Sequence, residues 1–254
     1  MEKRILVCVK LVPGSVQVEM DGQFRLKRDG AKLQLNIADL SALEAGLRLK
    51  GDTGSLTVLS MGPAKGQDLL QELYALGADR VVLLSDRVLA GADSFATAGA
   101  LAAAVKFLGG FDCILCGRRA IDGETGQIPG QLAAALEIPA VTNAESAALE
   151  GERLVCRRHL EDGVATVSAE MPCLLSLCEY VYPLRLPSIL GRRRAKTMSV
   201  EILTAAEIGL AGDHWGSGQS KTQVVSADSK APGLRQCRYW SGESLGKLLE
   251  EVTG

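Results

Sequence analysis

Aromatic side chains are scarce in this sequence, only 4% of 254 residues, which argues against a stacking surface for single-stranded nucleic acid. An excess of charge of one sign is also missing: 28 Lys and Arg face 30 Asp and Glu, for a net charge of -2. No overall positive field would draw in a phosphate polymer or an anionic membrane. Long hydrophobic runs are absent too. The most apolar stretch, Phe95 to Gly110, is mostly Ala and carries Lys106, and Met1-Glu2-Lys3-Arg4 leads directly into a strand-like segment with no signal-peptide core. Export and membrane insertion are therefore not expected.

Catalytic signatures are equally sparse. The two histidines, His159 and His214, have no Ser or Cys nucleophile motif beside them, so hydrolytic machinery is not visible. No G-x-G-x-x-G follows the first strand-like run and no G-K-[ST] occurs, which removes the common dinucleotide and P-loop fingerprints. Seven cysteines, an odd number, sit mainly inside apolar runs (Cys8, Cys113, Cys116, Cys173, Cys178), as reduced thiols do in a cytoplasmic protein. Cys113 and Cys116 have redox or zinc spacing. Three positions apart in a strand, however, they face opposite sides of the sheet, and no second pair is placed to complete a metal site.

What is present is an apolar, glycine-rich chain, with 47% hydrophobic residues and 28 Gly, enough for one large domain or one domain with an appendage. Strand-like runs recur at Ile5 to Val9, Leu56 to Ser60, Val81 to Leu84 and Cys113 to Cys116. Helical patterns separate them. Leu40, Leu43 and Leu47 share one face, with Glu44 and Arg48 spaced to pair on the other; Leu69, Leu70, Leu73 and Leu76 precede a stop at Gly77. Asp93 caps a third helix ending at Gly109-Gly110, and Gln127 to Glu137 forms a fourth. The alternation predicts an α/β fold: an open, mostly parallel sheet with helices on both faces.

The second half differs. Arg153 to Arg158 and Val164 to Ala169 flank Glu161-Asp162-Gly163 as a hairpin, with a further strand at Cys173 to Leu177, so the sheet is expected to gain antiparallel edge strands. Pro183, Pro187 and the basic run Arg192-Arg193-Arg194 make 182–196 a loop. Gly209 to Gly233 reads as an extended polar arm, closed by a short helix at Ser241 to Val252. The expected division is an α/β domain, 1–196, and an arm, 197–254, long enough that it must lie on something, another chain being one choice.

Ligands of open parallel sheets sit outside the carboxyl ends of the strands. The most informative of those ends is Gly117-Arg118-Arg119-Ala120-Ile121-Asp122-Gly123-Glu124-Thr125-Gly126-Gln127, which joins a strand to a helix. Its glycines let backbone N–H groups approach a phosphate, and Thr125 and the helix N-terminus can hold one. The alternative is a glycine-rich connection with ordinary capping.

These residues, with Ile5-Leu6-Val7-Cys8-Val9-Lys10, Asn36 before Leu43-Glu44-Ala45, Ser60-Met61-Gly62-Pro63, Gly77-Ala78-Asp79-Arg80, Arg158 to Glu161 and Leu186-Pro187-Ser188-Ile189-Leu190, resemble in order and spacing the beta subunit of electron-transfer flavoprotein. The resemblance covers nearly the whole chain. It implies a heterodimer with an alpha subunit whose mobile domain carries FAD, serving a flavin-dependent dehydrogenase such as an acyl-CoA dehydrogenase. It also implies a nucleotide lined by Cys8, Asn36, Met61, Gly117, Ala120, Asp122, Gly123, Glu124, Thr125, Gly126 and Gln127. That nucleotide is AMP in ordinary members and a second FAD in electron-bifurcating ones, where it meets NADH. The small residue after Asp122 looks like the bifurcating type, so FAD is favoured over AMP. Arg119 stands where the family pattern has Gln, and Pro129 where Gly is more usual. Leu186 matches the leucine that anchors a recognition loop on partner dehydrogenases, with Ile189, Arg192 and Arg193 beside it; on periodicity alone, burial under its own loop is the favoured reading. A stand-alone adenine-nucleotide sensor without redox role is the alternative from another class.

Overall fold

The computed structural model describes residues 2–14, 32–210, 212 and 215–225. The chain divides into two units, Met1–Gln223 and Val224–Gly254, and the architecture below belongs to the first. Its strands are β1 (Arg4–Cys8), β2 (Leu11–Pro13), β3 (Leu33–Leu35), β4 (Ser55–Met61), β5 (Arg80–Leu84), β6 (Cys113–Gly117), β7 (Ala140–Glu150), β8 (Arg153–Leu160), β9 (Gly163–Glu170), β10 (Cys173–Leu177) and β11 (Glu201–Leu203). Its helices are α1 (Ile37–Leu49), α2 (Gln67–Gln71), α3 (Leu73–Leu76), α4 (Ser94–Leu108), α5 (Ile128–Leu136) and α6 (Ile189–Ala195).

Nine strands form one sheet in the order β11-β5-β4-β1-β6-β10-β7-β8-β9, and β2 and β3 form a small antiparallel pair. Pairing is parallel from β11 through β7 and antiparallel across β7, β8 and β9. Alternation along each strand creates two cores. Ile5, Val7, Val58, Leu83 and Leu115 meet α1 and α3 on one face; Leu6, Leu59, Val82, Ile114 and Leu174 meet α4 and α5 on the other. The alanines of α4 let it lie close to the sheet. The helix starts where Asp93 Oδ1 accepts from the Ala96 N–H at 2.9 Å and stops at Gly109, in the left-handed region at φ 90°.

From β1 the chain runs through α1 to β4 and onward to β5, then returns by α4 to β6 on the opposite side of β1. The order of strands therefore reverses between β1 and β6. Their carboxyl ends are where a crevice opens in sheets of this kind.

The expected α/β fold is observed, and four details differ from the sequence reading. The leucine-patterned segment at 69–76 is not one helix but a 3-10 turn at Ala64–Gly66 followed by α2 and α3, divided at Glu72. The segment at 182–196 is not all loop, because Ser188 Oγ accepts from the Gly191 N–H at 2.9 Å and starts α6. The strand at Cys173–Leu177 lies inside the sheet, parallel to β6 and β7, and the third antiparallel member is the longer β7. Finally, the chain past 196 does not begin as an arm. Glu201–Leu203 joins β5 as an edge strand, fixed by the Glu201 carboxylate, which accepts from Arg80 Nε and Nη2 at 2.8 Å. The expected helix at Ser241 to Val252, His214 and most of the proposed arm lie outside the described residues.

Candidate functional site

The site is built around the first turn of α1. Asp39 is almost wholly enclosed at the junction of β1 and β6, and its two oxygens accept backbone hydrogen bonds from both strand ends: Lys10 N at 2.7 Å and Gly117 N at 3.1 Å. Burial pushes its carboxyl up to about 7, against the pull of those amides, Asn36 and the Lys10 ammonium. Gly117 is required for this contact. A Cβ there would stand 2.2 Å from Asp39 Oδ1 and 2.7 Å from Ala38.

Asn36, buried at the head of the same helix, does not cap it with its side chain. It reaches across instead: its Nδ2 donates to the Arg119 carbonyl at 2.9 Å and its Oδ1 accepts from the Ile121 N–H at 3.1 Å. That holds the first half of the 117–127 connection as a backbone strand would. The second anchor is Asp122, whose side chain is 6% exposed and accepts from Lys10 Nζ at 2.6 Å. A third is Glu179, just past β10, which accepts from Arg118 Nη2 at 2.8 Å and Arg119 Nε at 3.2 Å. Burial would raise the Glu179 carboxyl, but its own backbone N–H and the two guanidiniums outweigh it and hold it below the usual range.

Beyond Asp122 the connection turns outward, and 123–127 are exposed. Glu124 adopts φ 50° and donates its N–H to the Ala120 carbonyl at 2.8 Å; Gly126 is at φ 63°. Gly123 has neither reason to be glycine. Its φ is not in the left-handed region, and a Cβ built on it meets nothing within 4 Å. The connection ends at Gln127, whose Oε1 accepts from Ser94 Oγ at 2.7 Å and Gln131 Nε2 at 3.1 Å, tying the start of α5 to the start of α4.

Of the residues expected to line a nucleotide, Cys8, Asn36, Gly117, Ala120 and Asp122 thus gather at the β1 and β6 ends, and Gly123, Glu124, Thr125, Gly126 and Gln127 form the exposed rim. Met61 stands at the end of β4 and packs into the α4-side core. Cys8 and Cys116 share a hydrogen bond that, with burial, pushes the Cys116 thiol up; Cys113 is raised in the same way by Cys173, on the opposite face. Among the described residues no group of three or more His, Cys, Asp or Glu is disposed to hold a metal, and no helix is long and apolar enough to cross a membrane. Arg158, His159, Leu160 and Glu161 line a cleft with Arg118 and Asn143.

Leu186, Ile189, Arg192 and Arg193 lie away from this crevice, on the 182–188 connection and α6. Leu186 is 91% exposed, which excludes burial under its own loop, and Ile189 and Leu190 are 79% and 74% exposed. Sequence reasoning missed Asp39 and Glu179, and for Glu44 it found the pairing with Arg48, which is observed at 2.9 Å, but not the contact with Arg185. The spacing of Asn36 and Asp39, one turn apart at the start of a helix beside the strand reversal, was the available signal for the first.

A family model for the electron transfer flavoprotein domain matches residues 23–208. The caffeyl-CoA reductase-Etf complex subunit CarD of Acetobacterium woodii is 38% identical over 256 residues, covering 99% of this chain and 95% of that one. The electron transfer flavoprotein subunit beta of Thermoanaerobacterium thermosaccharolyticum is 39% identical over 229 residues, with 89% and 87% covered. An acryloyl-CoA reductase electron transfer subunit gamma from Anaerotignum propionicum is 43% identical over 179 residues, with 68% and 66% covered. A strand reversal furnished with a pinned, glycine-bearing connection and matched along nearly its whole length by such relatives identifies the chain as a member of the electron transfer flavoprotein family, a beta subunit serving electron transfer.

Proposed function

We propose that this subunit is the nucleotide-binding and docking platform of a cytoplasmic heterodimer. Its partner is the family's alpha subunit, which carries one FAD; the connection 117–127 holds a second nucleotide, FAD in preference to AMP. Gly123 carries this reading. A glycine that neither backbone conformation nor internal packing demands, on an exposed turn whose two ends are fixed, leaves room for a phosphate against backbone N–H groups. The residues present fit such a group: Asn36 and Asp122 fix the approach, Lys10 neutralises the Asp122 charge, and the start of α5, with N–H groups at Ile128 and Gly130 on either side of the donorless Pro129, favours an anion.

When bound, FAD supplies electron exchange with NADH, the source that a bifurcating reading requires, whereas AMP supplies structure alone. Delivery is to a flavin-dependent dehydrogenase acting on a CoA thioester, a class supported by the names of the caffeyl-CoA and acryloyl-CoA reductase relatives. Leu186, Ile189 and Leu190 form the apolar centre of the docking surface, and Arg192 and Arg193 its charged rim.

The test is to count the nucleotides released on denaturing the purified heterodimer. About two FAD and no AMP are expected, because the small residue after Asp122 matches the type that holds FAD through its AMP half; equal FAD and AMP would overturn the preference for FAD. In Gly123→Val the fold should persist and the beta-site nucleotide be lost. Full retention of nucleotide by that variant would move the site elsewhere.

A further inference from the structure

Three adjacent apolar side chains facing solvent are unusual for a segment whose backbone is this firmly held. Beneath Leu186, Ile189 and Leu190, every turn of the chain is tied to the body of the protein. Tyr182 Oη accepts from the Ala147 N–H of β7 at 2.9 Å, and the Arg48 guanidinium lies 4.7 Å from the Tyr182 ring. Gln71 Nε2 donates to the Ala195 and Met198 carbonyls at 3.0 and 2.8 Å, and Gly191 sits so close to α3 that a Cβ would be 2.4 Å from the Ala75 carbonyl oxygen.

The tie next to Leu186 is of a different kind. Glu44, on α1, has a side chain only 5% exposed. Its carboxylate accepts from Arg185 three times: from Nε at 2.9 Å, from Nη2 at 3.1 Å and from the backbone N–H at 3.2 Å. Arg48 Nε donates to it as well, at 2.9 Å. An ion pair that served stability alone would need only the guanidinium. The added backbone bond fixes the peptide that leads into Leu186, and so the direction in which Leu186 leaves the surface.

We infer that Glu44 is a positioning residue for the docking surface: by holding Arg185 through side chain and backbone together, it pre-orders the segment that presents Leu186 to a partner protein. The inference rests on the docking reading above and adds to it the means of orientation. A partner meeting an already ordered loop does not have to supply the free energy of ordering it, so the clamp acts on affinity and not on electron movement once docked.

The experiment uses the intact heterodimer with its bound cofactors and, as probe, a flavin-dependent acyl-CoA dehydrogenase, whose reduction by the NADH-reduced heterodimer is followed as the heterodimer is titrated as electron donor. In Arg185→Met, which keeps the stem of a half-exposed side chain and removes the clamp, KM for the heterodimer should rise about fivefold with kcat unchanged, as expected for a loss of pre-organisation. Nucleotide content should stay constant, and amide exchange across 184–187 should accelerate. Glu44→Gln should behave alike; Arg185→Met keeps the test decisive if Glu44→Gln fails to fold. Added to Leu186→Ala, Arg185→Met should raise KM no further, since the two act on one contact. An unchanged KM in Arg185→Met beside a raised KM in Leu186→Ala overturns the positioning role and leaves docking standing. Unchanged KM in both variants overturns both. Additive increases make Arg185 a direct partner contact and also overturn the inference.

Discussion

Two acids on α1, Asp39 and Glu44, are both almost wholly enclosed, yet they are held by opposite means. Asp39 receives backbone N–H groups from two strand ends and the neutral side chain of Asn36, with the Lys10 ammonium at a distance, and burial dominates, leaving its carboxyl raised to about 7. Burial would raise Glu44 too. There the hydrogen bonds of Arg185 and Arg48 prevail and its carboxyl is lowered. Enclosure alone therefore does not set the charge of a buried acid; the partners do. The difference suits the places they occupy, since Asp39 joins strands that never part, whereas Glu44 reaches a segment at the surface.

The largest expected effect breaks the first of these arrangements. Gly117→Ala puts a methyl group into Asp39 and Ala38, and should destabilise the protein by about 3 kcal/mol or more in urea denaturation, in line with overpacked core sites. A wild-type midpoint would show that α1 does not seat against β6 as described.

The second effect concerns pH. Because the Asp39 carboxyl is raised in the native protein from 3.8 to about 7, the folded state binds its proton more tightly than the unfolded chain. Its contribution is complete below about 4 and is lost as pH rises to about 7. Asp39→Asn should flatten that decline in a series of thermal melts. It should also cost about 1–3 kcal/mol at low pH, since an amide offers one acceptor where two backbone donors need one each. A melt series with unchanged slope would mean that another group carries it.

Glu44→Gln should show the opposite sign and a smaller magnitude. With the Glu44 carboxyl lowered, its stabilisation is present above the ordinary glutamate value of 4.5 and disappears as pH falls through the native one. The variant should lose about 1–2 kcal/mol near neutrality, because Arg185 remains partly solvated, and converge on wild type in acid. A constant gap across the pH range would contradict the charge-dependent clamp. Smallest of all, Arg48→Met should cost a few tenths of a kcal/mol, the usual worth of a half-exposed pair one helical turn apart. A loss as large as that of Glu44→Gln would make Arg48, and not Arg185, the main partner.

The same contrast explains what could be read from the sequence. Strand-helix alternation, the hairpin and the glycine-bearing connection were visible because each follows from local pattern: apolar period, turn residues, glycine spacing. The contact of Glu44 with Arg185 was not, since a glutamate four residues before an arginine on a leucine-striped helix has the periodicity of a solvated pair. Only the distant Arg185 turns that face inward. β7 escaped notice because Ala140 to Glu150 is rich in alanine and glutamate, and its strand form is imposed by β10 and β8 on either side. β11 is three residues long and depends on β5 for its existence. At the site, Gly117 was read as a residue for the ligand, and its neighbours give it a second duty toward the helix, since a Cβ there would meet Asp39 and Ala38.

The close seat of Gly191 against the Ala75 carbonyl has an evolutionary consequence. A framework that fixes the backbone through Gly191, Ser188, Gln71 and Tyr182 leaves the outward side chains at 186, 189, 190, 192 and 193 free of internal duties. Those positions can drift toward a new client protein one substitution at a time, each intermediate still folded. Replacement of Gly191 has no such gradual route, because the first added carbon already collides with α3.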